Sequence, residues 1–368
     1  MSPVRVGVVG LGYWGPNLVR AMHEVEDAEV VWACDARAEA VATIQRRYPA
    51  VQVTARYGDL LEDESVDAVA IATPVASHYE LARAALAAGK HVFVEKPLAG
   101  SSQDAIELMN LAREAGLVLM PGHTFLYSPP VDAIRSLIHS EELGEIYFIS
   151  MSRVNLGLHQ PDVSVVWDLA PHDFSILRYW LGETPSHVSA ISRGCIIPAT
   201  PDVAFVNLEF LSGCIAHVEL SWLAPSKLRR TTIVGSRKMV VYDDTSNEPV
   251  RVFDSGAVMP DPGSFGEYQL SYRTGDIVSP RIDPVEPLVL EMQDFCASIA
   301  TGEAPRSTDE LGLEVVRMIE AVDTSLDSAG ARVTVTGAPV ELDEAMGLEQ
   351  HAVPARDVDL DGSTAGRS

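Results

Sequence analysis

Cysteine is scarce. The four residues Cys34, Cys195, Cys214 and Cys296 share no CxxC spacing, which excludes a dense disulfide framework and a cysteine-built zinc site. Basic residues are few as well: 27 lysines and arginines face 52 aspartates and glutamates, a net charge of −25. A field of that sign repels phosphate backbones and anionic headgroups, so nucleic acid and membrane surfaces are not expected partners. No stretch approaches the ~18 uncharged apolar residues of a membrane span. Met1 to Leu11 hold one arginine and run into glycines, without the basic start, apolar core and cleavage site of a secretory signal. The expectation is a soluble cytoplasmic protein. The ten histidines fall singly, with no HExxH or Cys/His cluster, so no metal is expected, and a GxSxG serine elbow is also missing.

What is present suits two ordinary cores: 368 residues, 47% of them apolar, at roughly 150 residues per domain. The first part alternates short β-branched runs (Arg5–Val9, Glu29–Cys34, Ala68–Ala72, His91–Val94, Leu117–Met120) with helical stretches such as Ser77–Ala88 and Gln103–Ala115. Repeated βαβ units imply a doubly wound parallel sheet, the Rossmann arrangement, over residues 1–125. After Pro129 and Pro130 a helix at Val131–His139 leads to runs of period two: Glu145–Val154, His187–Arg193, Val203–Phe210, Cys214–Trp222, Arg230–Val234 and Lys238–Tyr242. With helices at Trp167–Leu181, Pro287–Ala300 and Thr308–Leu326, these predict an α+β domain over 126–335, built on a mostly antiparallel open sheet. Residues 336–368 lack any period and are expected to be a disordered tail.

Gly10-Leu11-Gly12-Tyr13-Trp14-Gly15 follows the first run directly and opens a helix at Pro16. In that setting the glycines permit a tight turn, close approach of a pyrophosphate and close helix packing. Asp35 ends the second run, twenty residues past Gly15, where a carboxylate accepts ribose hydroxyls and repels a 2′-phosphate. NAD is therefore favoured over NADP, with Arg37 as a cation that pulls the other way. Thr73, Pro74 and His78 follow the third run, and Glu95, Lys96 and Pro97 the fourth, at strand ends where such sheets bind ligands. Asp168 and His172, four apart, share one helix face if a helix begins near Asp168, which also keeps Pro171 in the first turn. A histidine there is a natural proton acceptor, and an aspartate beside it could orient the ring.

Gly10–Gly15, Ala72-Thr73-Pro74 with His78, Gly89-Lys90-His91-Val92, Glu95-Lys96-Pro97 and Asp168-xxx-His172 together resemble the glucose–fructose oxidoreductase, inositol dehydrogenase and rhizopine-catabolism family (Gfo/Idh/MocA) over roughly residues 4 to 335. The resemblance implies an NAD-dependent dehydrogenase of a sugar or cyclitol hydroxyl, with Lys96 and His172 flanking the hydroxyl and Asp168 supporting the substrate and His172. Pro121–Tyr127, which includes His123, and Tyr268–Arg273 look like the branch that oxidises nucleotide sugars such as UDP-N-acetylglucosamine. For such a substrate, His123, Arg153, Asn155 and the cluster Lys227, Arg229 and Arg230 are candidate contacts. The alternatives are an inositol or free-sugar dehydrogenase and a non-catalytic NAD-binding regulator. Phe148, Ser150, Phe205 and Ile215 share the strand face away from the helices, and a homodimer or homotetramer is expected to cover it.

Overall fold

The computed structural model describes residues 2–157, 159, 163–258 and 271–338. Strands β1 (Val4–Val9), β2 (Ala28–Cys34), β3 (Gln52–Thr54), β4 (Ala68–Ile71), β5 (His91–Glu95) and β6 (Leu119–Gly122) form one parallel sheet in the order β3-β2-β1-β4-β5-β6. The central strands are covered on both faces, so their apolar residues run without alternation: Val6, Val8, Ala68, Val69 and Ile71 have no exposed surface. Strand order reverses between β1 and β4, which opens a crevice beyond the carboxyl ends of the strands. The helix Ser102–Ala115 is capped by the Ser101 hydroxyl, which accepts the Asp104 N–H at 3.1 Å, and it stops at Gly116, whose φ of +67° a side chain would resist. Five of these strands match the sequence-derived runs. β3 does not, because three residues at a sheet edge carry too little pattern.

The second sheet contains β7 (Ile146–Val154), β8 (His187–Arg193), β9 (Val203–Glu209), β10 (Ile215–Ser221), β11 (Leu228–Gly235), β12 (Met239–Asp243), β13 (Val250–Val258), β14 (Ser271–Val278) and β15 (Val333–Thr334), ordered β14-β13-β12-β11-β7-β10-β9-β8-β15. Pairing is mostly antiparallel, with β7 and β10 parallel. The sequence reading missed β13 to β15. β14 forms the outer edge, with Thr274, Gly275 and Asp276 exposed, so no apolar alternation marks it. Of the Tyr268–Arg273 motif, residues 268–270 lie outside the described residues, as do 339–368 of the expected tail.

One face of this sheet is packed by the helices Val165–Leu181 and Asp309–Asp327. The other face leaves Phe148, Phe205 and Ile215 exposed, and in the β10–β7 register Ile215 sits beside Phe148. The helix Pro287–Thr301 returns to the first sheet: Phe295 meets Phe93 at 5.8 Å, and Glu291 accepts the Thr124 hydroxyl at 2.7 Å. This return builds the wall of the site. No helix among the described residues is long and apolar enough to cross a membrane.

Candidate active site

The chain turns at Gly10 with φ +89°, and an added Cβ would stand 2.6 Å from the Ala72 carbonyl oxygen. At Gly15 it would stand 1.9 Å from the Gly10 carbonyl oxygen. These two glycines serve the fold itself. Gly12 differs: its added Cβ would meet nothing nearer than Arg37 Nη2 at 3.8 Å. Open space over bare backbone beside the start of the helix Gly15–His23 fits a dinucleotide pyrophosphate. A groove of about 270 Å³ runs from Gly12, Tyr13 and Trp14 past Thr73 and Pro74 to Glu95, Lys96 and Asp168. A second hollow of about 330 Å³ lies at Leu11, Pro16 and Arg37.

Asp35 is 8% exposed and accepts the N–H of Leu11 at 2.7 Å, the N–H of Arg37 at 2.8 Å, and the Arg37 guanidinium at 3.0 and 2.9 Å. Arg37 holds its pKa down at about 2. A carboxylate offers about four lone-pair sites, and all four are taken. For Asp35 to accept ribose hydroxyls, the exposed Arg37 side chain must swing away.

His78 does not line the groove. Its buried ring nitrogens lie 2.8 Å from the carbonyls of Pro97 and Thr73, so it ties together the two loops that do.

Lys96 donates to the Asp168 carbonyl at 2.7 Å and to Asp168 Oδ1 at 3.3 Å, and Trp222 Nε1 donates to Asp168 Oδ2 at 3.1 Å. Asp168 therefore orients the lysine rather than the histidine, contrary to the reading from spacing. That reading also began the helix too late. It starts at Val165 with Ser164 as its cap, so Pro171 lies in the interior and withholds an N–H from the Trp167 carbonyl.

His172 lines a larger cavity of about 660 Å³ that shares Trp14 and Glu95 with the groove. Its ring meets Phe125 edge to face at 5.0 Å, and Nδ1 is buried with no hydrogen-bond partner among the described residues. Burial, followed by the charges of Lys96, Arg153 and Arg229, pushes its pKa well below the ordinary histidine value. The ring is thus neutral at pH 7 and able to accept a proton. Glu95, 7% exposed, is pushed up to about 7 by burial, and its Oε1 has no partner among the described residues.

The other expected substrate contacts sit elsewhere. Arg153 is 6% exposed and donates to both oxygens of Asp173, at 2.7 and 2.9 Å, beneath the Phe125 ring. Its charge is already spent on a buried partner. His123 is 1% exposed, lines neither cavity, and is pushed down to about 3 by burial and Lys96. Asn155 lies outside both cavities too. Residues that the sequence reading missed include Trp222, Asp244 and Glu291. Trp222 ends the alternation of β10, and that phase is the one signal that could have placed it.

Comparison with known proteins shows the family. Residues 4–123 match the model of an oxidoreductase family with an NAD-binding Rossmann fold, and residues 131–241 match the Gfo/Idh/MocA C-terminal domain. The chain belongs to the Gfo/Idh/MocA oxidoreductase family. Within it, the chain is 29% identical to D-xylose 1-dehydrogenase (NADP(+)) 2 of Haloferax volcanii, over 92% of this chain and 98% of that one. It is 26% identical to scyllo-inositol 2-dehydrogenase (NAD(+)) of Bacillus subtilis, over 92% and 96%. The crystal structure of an oxidoreductase domain protein from Kribbella flavida shares the fold with a TM-score of 0.78, at 22% identity over 91% of this chain and 100% of that one. NAD is the cofactor of the Rossmann part.

Proposed function

We propose that the protein oxidises a secondary hydroxyl of a sugar or cyclitol with NAD, and that the ring is a free one rather than a nucleotide conjugate. The observation that carries this reading is the meeting of two spaces: a groove ending at Lys96, and a cavity walled by a half-buried, neutral His172. NAD bound in the groove supplies a hydride acceptor. His172 accepts the hydroxyl proton, and the Lys96 ammonium, aimed by Asp168 and Trp222, stabilises the oxygen as charge develops on it. The relatives named above are dehydrogenases of xylose and of an inositol, which supports the same chemistry here.

A nucleotide sugar finds less support. Its diphosphate needs unpaired cations, whereas Arg153 is committed to Asp173 and Arg229 donates to Asp244 at 3.1 Å. Lys227 and Arg230 are not among the residues that line the cavity. The reading is tested by following NADH absorbance while a panel of free sugars, inositols and nucleotide sugars is offered with NAD. Turnover of a free ring supports it. Turnover of nucleotide sugars alone moves the substrate back to the nucleotide-sugar branch, and tight NAD binding with no turnover supports the regulator.

Three measurements extend the reading. Oxidation needs unprotonated His172, so kcat rises with pH through its pKa, and burial moves that acid limb below the ordinary ~6.5. A limb at or above that value in a pH–rate profile counts against the assignment. The Asp35→Ser variant frees Arg37 and removes the charge that opposes a 2′-phosphate, so the ratio of kcat/KM for NAD over NADP falls by about tenfold or more. An unchanged ratio would show that neither residue sets the preference. For assembly, we propose self-association through the face of Phe148, Phe205 and Ile215. Light scattering at micromolar concentration then gives a dimer or tetramer, and a monomeric mass rejects the proposal.

A further inference from the structure

The cavity beside His172 is lined by four carboxylates, Glu95, Asp244, Asp283 and Glu286, against two guanidiniums. Neither guanidinium is free. Arg20 donates to Glu24 at 2.8 Å and to both oxygens of Glu286, and Arg229 donates to Asp244 at 3.1 Å while lying over the Phe125 ring. The carboxylates are not all matched in turn. Glu95 is more than nine-tenths buried, lines both the groove and the cavity, and has one oxygen with no partner among the described residues. Its neighbour Lys96 is engaged with Asp168, and burial together with the Glu95 carboxylate pushes Glu291 well above its ordinary value, so Glu291 offers no counter-charge. Asp244 likewise has a buried Oδ1 without a partner among the described residues.

Glu286 is paired with Arg20, Asp244 with Arg229 and Asp283 with Arg281, so what an anion in this partly desolvated space meets is the partnerless oxygen of Glu95 and that of Asp244. A cation there offsets them. We infer that the ring accepted by this cavity carries an ammonium group, which Glu95 and Asp244 hold electrostatically, and that rings bearing a phosphate or carboxylate are rejected. This inference rests on the dehydrogenase reading above and narrows its substrate class to amino sugars or aminocyclitols. Both have the same recognition chemistry: a hydroxyl for Lys96 and His172, and a cation for the carboxylates. Protonation supports the same assignment. Burial pushes Glu95 up to about 7, and a bound ammonium favours its ionised form, so ligand charge and site charge neutralise each other.

The test compares matched rings on the full chain with saturating NAD: glucose, glucosamine, glucuronate and glucose 6-phosphate, and scyllo-inositol beside an amino-substituted scyllo-inositol. In at least one of the two series the amino ring exceeds its neutral parent in kcat/KM by about tenfold or more, and both anionic sugars fall below glucose. Asp244→Asn reduces the preference for the amine and relaxes rejection of the anions, because Arg229 is released. Asp283→Asn, at an exposed position that bears less on folding, shifts the ratio in the same direction by a smaller factor. Equal turnover of amino and neutral rings, or a preference for the anions, overturns the inference and leaves the dehydrogenase reading standing. Should no ring reduce NAD, that reading fails separately, and heat protection of the NAD-bound protein decides the inference. Greater protection by the amino rings upholds it, and equal or no protection overturns it.

Discussion

Replacing either Lys96 or His172 by alanine lowers kcat by about 10²-fold or more, because a positioned base or oxyanion donor is typically worth that much. The two losses arise differently. Lys96→Ala removes the ammonium that Asp168 holds in place and leaves the Asp168 carboxylate with the Trp222 indole as its remaining side-chain donor. His172→Ala removes the neutral ring and, with it, the acid limb of the pH profile that this ring creates. Affinity for NADH, read by fluorescence titration, changes by less than about tenfold in both, since the open backbone at Gly12 lies away from these side chains. Near-normal kcat in both variants would rule out the proposed division of labour.

Arg153→Ala is the other large effect, and it falls on stability. The variant leaves Asp173, 2% exposed, as an unpaired buried charge. Breaking such a pair typically costs about 3–5 kcal/mol, which for a chain of this size lowers Tm by roughly 5 °C. Replacing both partners together, as Arg153→Met with Asp173→Leu, recovers much of that loss, because no charge is then stranded. If Arg153 were instead a substrate contact, the single variant would raise KM and leave Tm almost unchanged. Thermal unfolding and steady-state kinetics on the same preparation separate the two.

These two sets of residues also mark where sequence is readable. The glycine turn, Asp35, Lys96 and His172 each sit next to a local signal, a strand end or a helix start, and local signals survive in one dimension. Partners do not. Asp168 lies four residues from His172, yet its carboxylate holds Lys96, 72 residues away along the chain. Only the tertiary fold, which sets the turn after β5 beside the helix Val165–Leu181, brings them together. Arg153 was legible in another sense: along β7, Ile149, Met151 and Arg153 share the inward phase of the alternation, and the phase alone marks the arginine as buried. A buried cation needs a buried anion, and Asp173 is the residue after His172. Strands β14 and β15 lacked such a phase, because edge position leaves little apolar surface to pattern, while β13, paired on both sides, buries only Val250 and Val252 of its first residues, too short a run to stand out.

The central claim is oxidation of a carbinol carbon, with its proton going to His172 and its hydrogen going to NAD. The most direct measurement offers the protein NAD and a turned-over ring deuterated at the reacting carbon, and then locates the label by mass spectrometry. The account predicts the deuterium in the reduced nicotinamide, together with a ketone on the ring, and a His172→Ala variant that forms the same labelled product about 10²-fold more slowly. Label released to water, or a product at the oxidation level of the starting ring, would contradict it.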